Sequence, residues 1–154
     1  MDKEKAIFHH ILVPVDGSEP SNAGIALALR LAKEQRASVT FVHAIETAKI
    51  TAMTSTSPMD PRYAIEAVES SAKAFLDEAR AHASGSGVPI ETVMVDGDCI
   101  SCILDLARKL KADLLVVGSH GRGGVPRAIL GSVAEGLLRR SEIPVLVTHL
   151  PPNR

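Results

Sequence analysis

Gly118-Ser119-His120-Gly121, nine further residues and then Gly131-Ser132 form the stretch of this chain whose residue types and spacing point most directly to chemistry. Glycine lets backbone approach an anion closely and takes φ > 0 at little cost. A helix beginning at Ser132 would add unpartnered N–H groups and the partial positive charge of its first turn. Together these make a cradle for phosphate. Ser132 either caps that helix or gives its hydroxyl to a phosphate oxygen. The plainer alternative is a surface loop punctuated by glycines. Two other phosphate loops are absent. There is no Gly-Lys-Ser or Gly-Lys-Thr. Neither Gly85-Ser86-Gly87 nor Gly121-Arg122-Gly123 completes G-x-G-x-x-G, because Ile90 and Pro126 stand at the third glycine position.

Other reactive side chains are scattered. Cys99 and Cys102 have C-x-x-C spacing at an expected helix start, where a thioredoxin-like redox pair would sit. The same spacing puts both on the core face of that helix with Leu106, as two buried thiols. A zinc site needs two more ligands, and the histidines lack ligand spacing. His9 and His10 precede a strand and read as register. His120, inside the glycine loop, is a candidate base or simply a surface histidine.

The elements that must position these residues follow from the apolar pattern. Strands are expected over 8–15, 38–45, 90–95, 112–117 and 143–148, several as continuous apolar runs of the kind covered on both faces. Pro14 should close the first strand. Helices are expected over 22–35, 62–83, 99–110 and 132–140, with Ser18 or Ser21 and Asp98 as caps. Residues 46–61, rich in Thr, Ser, Met and Pro, show no clear period and read as a long loop. Alternating strands and helices predict an α/β fold, a five-stranded open parallel sheet with helices on both faces. With strand 1 central, the order is 3-2-1-4-5. The switch point then lies between strands 1 and 4, so Asp16 and Gly118 border one crevice. That suits a nucleotide, with a carboxylate near ribose, base or metal; the alternative for Asp16 is an Asx-turn.

Composition bounds the rest. One domain over residues 1–154 is expected from the length. Aromatic residues make up 3% with no Trp, against a stacking platform for single-stranded nucleic acid. A net charge of −1 gives no general pull toward nucleic acid or membrane. No apolar run approaches a membrane span of about 20 residues, and no signal-peptide pattern follows Lys3 and Lys5. The expected compartment is the cytoplasm.

On these residues the chain resembles the universal stress protein family, in its ATP-binding branch. The match is G-x2-G-x9-G-S at Gly118, Gly121, Gly131 and Ser132. The segment from Ile11 to Ser18 resembles the family's opening strand and turn, His43-Ala44 the end of its second strand, and Ile143 to Val147 its final strand. The resemblance covers nearly the whole chain apart from 46–61 and the tail. It implies an adenine nucleotide alpha-hydrolase-like sheet that binds ATP with Mg2+ or Mn2+. Asp16 would contact the sugar or adenine side, and Ala44 would meet adenine through its backbone. Val117, Gly118, Gly121, Gly131, Ser132 and Val133 would line ribose and phosphates. Arg122 and Arg127 flank the loop and suit phosphate oxygens, or are solvated charges. Ala44 is smaller than the valine common in the family.

Three functions compete. The first is a cytoplasmic ATP-binding stress-response regulator acting through conformation and an unknown protein partner, with 46–61 ordering over the nucleotide. The second is a slow ATP hydrolase or nucleotidyl-transfer enzyme, for which His120 is the one candidate base. The third is an oligomeric module without ligand, against which the glycine pattern counts. AMP and cyclic nucleotides remain open beside ATP. A homodimer is expected through the fifth strand, an edge whose Val145, Leu146 and Val147 include no lysine. Antiparallel pairing there is what the resemblance implies.

Overall fold

The computed structural model describes residues 5–121 and 129–150. Within them the chain runs β1 (His10–Pro14), α1 (Glu19–Gln35), β2 (Ser38–Ile45), α2 (Thr47–Thr54), α3 (Pro61–His82), β3 (Ile90–Asp96), α4 (Cys99–Leu110), β4 (Leu114–Gly118), α5 (Ser132–Arg140) and β5 (Val145–Thr148). All strand pairs are parallel, in the order β3-β2-β1-β4-β5. This is the expected topology, with β1 and β4 adjacent at the switch point.

The pleat explains the two layers. Along β1, Ile11 and Val13 face α1 and α3, while Leu12 faces α4 and α5. Along β4, Leu114 and Val116 take the first side, and Leu115 and Val117 the second. The first layer is closed by Ile25, Ala28 and Leu29 of α1 with Leu76 and Ala79 of α3. The second is closed by Ile103, Leu106 and Ala107 of α4 with Ala134 and Leu137 of α5. Small residues let the helices lie close to the sheet. Gly118 is the tightest case: a Cβ there would lie 2.7 Å from the carbonyl carbon of Pro20 and 2.8 Å from the nitrogen of Ser21.

Local chemistry sets the boundaries. The Ser18 hydroxyl caps α1 by accepting from the Ser21 N–H at 3.3 Å, and Pro20 sits in the first turn. The helix therefore begins at Glu19, before the expected residue 22. Asp98 caps α4, accepting from the Ser101 N–H at 2.9 Å. Pro14 ends β1 as expected. The Asp113 carboxylate, at the foot of β4, accepts the backbone N–H groups of His9 and His10 and the His9 Nδ1–H. The histidine pair is thus a register device between β1 and β4.

One segment departs from expectation. Residues 47–54, read as loop, form α2, which has no buried residue of its own. Glu46 at its N-cap makes no side-chain capping bond. The Asp96 carboxylate at the end of β3 takes that part instead. It accepts from the Thr47 N–H at 3.1 Å and from the Thr47 hydroxyl at 2.6 Å. These two bonds hold the Asp96 carboxyl below its ordinary pKa. Among the described residues no helix is long and apolar enough to cross a membrane.

Candidate functional site

The site grows from the ends of β1 and β4. β1 leaves the sheet at Pro14, and the chain turns through Asp16-Gly17-Ser18 into α1. Asp16 Oδ1 accepts from the Ser18 N–H at 2.9 Å, so the Asx-turn is real. The other oxygen, Oδ2, faces the glycine loop, 2.8 Å from where a Cβ on Gly121 would stand. Asp16 thus serves the turn with one oxygen and presents the other to the crevice.

β4 leaves the sheet at Gly118, and its exit is tied down on three sides. Ser119, 2% exposed, donates its N–H to the Thr148 carbonyl at 2.8 Å and accepts the Gly131 N–H on its own carbonyl at 2.7 Å. The Thr148 hydroxyl reaches the Pro20 carbonyl at 3.0 Å. β5, α1 and α5 therefore all meet this one strand end. The His120 Nε2–H donates to the Ile129 carbonyl. In the neutral imidazole that bond leaves Nδ1 as the acceptor for the Ser119 hydroxyl, 3.0 Å away. Both ring nitrogens are engaged, so His120 clamps the two stems of its loop and has none left over to serve as a base.

The glycines of the spaced motif do not act as expected from backbone freedom. The described glycines with positive φ are Gly17, Gly85, Gly87 and Gly97, and none belongs to the motif. Gly131 has φ −63° and ψ 155°, open to any residue. It is small for another reason: a Cβ would lie 3.1 Å from the Ser119 carbonyl oxygen and 3.2 Å from the His120 Cα. Gly131 is also the N-cap of α5 and brings no side-chain cap. The helix start is therefore left bare, as an anion site requires.

These parts enclose a cavity of about 290 Å³ on the α4/α5 side of the sheet, at the C-terminal ends of β1, β2 and β4. Asp16, Ala44, Val117, Gly118, Gly121, Gly131, Ser132 and Val133 all line it. Arg122 and Arg127 lie outside the described residues. Val42, Ala44, Ile103 and Val117 give it apolar lining, and Asp16 and the start of α5 border it too. Lining residues that the sequence reading did not assign to nucleotide include His43, Cys99 and Ile103. The helix period placed Cys99 and Ile103 on the core face of α4, and both reach the cleft from its N-terminal half, whereas His43 ends β2 and packs its ring on Phe75 of α3.

The cysteines need correction too. The fully buried stripe of α4 is Ile103, Leu104, Leu106 and Ala107. Cys99 and Cys102 lie at its margin, both half-buried and both free thiols. Cys99 faces the cleft, where burial, with Glu46 and Asp98 nearby, pushes its thiol up to about 11. Cys102 packs over Gly97 and points its Sγ to the Asp96 carbonyl at 3.6 Å. Burial and the surrounding carboxylates raise its pKa as well. Neither has the lowered pKa of a redox nucleophile. Among the described residues no group of three or more His, Cys, Asp or Glu is placed to hold a metal ion.

A parallel sheet in the order 3-2-1-4-5, with its cleft at the switch point between an acidic turn and a bare helix start, defines a doubly wound α/β protein of the ligand-cleft class. Comparison with known proteins then places the chain within that class. Residues 7–149 match the model of the universal stress protein family, and the chain belongs to that family. It is 32% identical over 148 residues to universal stress protein YxiE of Bacillus subtilis, covering 93% of this chain and all of that one. It is 31% identical over 147 residues to universal stress protein MJ0531 of Methanocaldococcus jannaschii, covering 94% and 84%. Among solved structures, a universal stress protein in complex with cAMP aligns with a TM-score of 0.65 at 29% identity, covering 92% and 97%.

Proposed function

We propose that this chain is an adenine-nucleotide-binding regulator of the stress response, folded as one domain over 1–154 and working in the cytoplasm. ATP lies across the C-terminal ends of β1 and β4. The base sits on the apolar lining by Ala44, the sugar near Asp16, and the phosphates on Gly121 and the start of α5. The observation that carries this reading is the side-chain-free N-cap of α5 at Gly131, opening on the same cavity as the Asp16 carboxylate. The cAMP complex of a relative supports the adenine preference. Mg2+ or Mn2+ travels with the phosphates, since the described residues offer no protein cage for it. Occupancy is read out through conformation by a protein partner, and the chain pairs with a second copy through β5. The rival enzymatic reading is disfavoured by one observation, the engagement of both His120 nitrogens.

Isothermal titration tests the site. ATP with Mg2+ is expected to bind, and Asp16→Ala and Gly121→Val each to weaken it at least about tenfold, or about 1.4 kcal/mol. The Gly121 variant acts by driving a branched side chain into Asp16 Oδ2. Circular dichroism establishes that each variant is folded. Folded variants that bind like the parent overturn the assignment. AMP and cAMP titrated in parallel rank the nucleotides.

A further inference from the structure

His43 is a lining residue to which the nucleotide reading gives no task. It projects from the end of β2, and its Nδ1–H donates to the Val15 carbonyl at 2.6 Å. Val15 lies just past the last residue of β1 and is 3% exposed. Its own N–H still joins the sheet, donating to the Val42 carbonyl at 2.9 Å. β1 has ended there although β2 runs on to Ile45, and a buried carbonyl left unpaired is costly. The imidazole supplies that pairing.

The bond matters because of what shares the peptide. The Val15 carbonyl and the Asp16 N–H are the two polar atoms of one planar unit. The Asp16 N–H donates to the Ser21 hydroxyl at 3.3 Å. The plane that leads into Asp16 is thus held at its oxygen by His43 and at its nitrogen by Ser21. Rotating that plane would swing the carboxylate away from Gly121. The imidazole is itself held: the Phe75 ring of α3 packs against it, centroids 5.3 Å apart and tilted by 58°. Phe75 can reach that place because residue 17 is glycine. At φ +76°, a Cβ on Gly17 would come within 2.7 Å of the Phe75 ring.

We infer that His43 is a positioning residue for the nucleotide site, fixing the Val15–Asp16 peptide and through it the direction of the Asp16 carboxylate. The inference rests on the nucleotide reading for its purpose, though not for its geometry. It assigns the histidine a task apart from direct contact with ligand, and it makes Phe75 and Gly17 parts of the same support.

The test separates the donor from the bulk of the ring. Asn carries its amide nitrogen at the place of Nδ1, and Gln carries it at the place of Nε2. His43→Asn therefore keeps a donor for Val15, and His43→Gln removes it, while both lose the ring against Phe75. Without ligand, hydrogen exchange at the Asp16 and Ser18 amides is expected to stay near the parent rate in His43→Asn and to rise about tenfold in His43→Gln. ATP affinity is expected to follow the same order, nearly retained in the first and about tenfold weaker in the second. In the parent, nitrogen NMR is expected to find the proton on Nδ1 in neutral imidazole. An Nε2–H tautomer overturns the inference even if both variants fail to fold. So do Asn and Gln variants with equal exchange rates. A parent that binds no adenine nucleotide overturns the proposed function instead, and exchange and tautomer still decide the role of His43.

Discussion

Asp113 shows how much a single carboxylate can organise at the foot of the interior strands β1 and β4. Burial pulls its pKa up, but the N–H bonds from His10 and His9 and the His9 imidazole outweigh that, and the net shift is downward. A carboxyl lowered on folding stabilises fully above its unfolded value, about 3.9, and loses that contribution as pH falls through the folded value. Asp113→Asn should therefore cost stability near pH 6, and the difference from the parent should shrink below about pH 4. Urea unfolding across that range checks it, and a pH-independent difference would show that the carboxylate charge is not the cause. The glycines make a related point at this scale. The motif was legible because glycine stands out in any sequence, but the reason for it was not. Gly118, Gly121 and Gly131 are dictated by contacts from Pro20, Asp16 and Ser119, residues that only the folded chain brings near.

Elements were legible wherever their determinants are local. α4 carries its own cap in Asp98 and its own apolar stripe, and its bounds match the expected 99–110. The strand order followed from alternation and handed crossovers once strand 1 was taken as central. α2 was missed because its cap, Asp96, lies 49 residues away in sequence and because it buries nothing. Cys99 was read as a redox or buried thiol and not as cleft lining, because an apolar period shows which face is buried and not which cavity it borders. The contact between β4 and α1 yields a prediction at this scale. Gly118→Ala drives a methyl group into the backbone of Pro20 and Ser21, atoms that cannot rotate away. The expected loss is about 1–3 kcal/mol of stability. Gly118 has no positive φ, so no left-handed backbone strain adds to that packing loss. Denaturant midpoints of the parent and Gly118→Ala measure it, and an unchanged midpoint would refute it.

For the whole molecule, β5 is one of the two edges of the sheet, opposite β3. The Leu115 N–H donates to the Pro144 carbonyl and the Ser119 N–H to the Thr148 carbonyl. In a parallel ladder this alternation turns the backbone of Val145 and Val147 outward. Val147→Pro removes an outward N–H without touching the bonds to β4. Sedimentation should show the proposed dimer dissociating in that variant while nucleotide binding persists. An unchanged dimer would move the interface elsewhere. The pairing of β1 with β4 has a different consequence, one of timing. The Asp113 carboxylate reaches His9 and His10 across 104 and 103 residues of sequence. β1, β2 and β3 can pair among themselves before β4 is available, and closing a long loop comes late because its entropy must be met first. The cleft has walls on both sides of that loop, Asp16 on one and Gly121 with Gly131 on the other. Its two halves thus come together only when β1 and β4 pair. Pulsed hydrogen exchange during refolding should find the β2 amides protected before those of Ser119 and Gly131. A chain still leaving the ribosome would then hold half a sheet and no place for a ligand, so nucleotide can stabilise the finished protein without guiding its assembly.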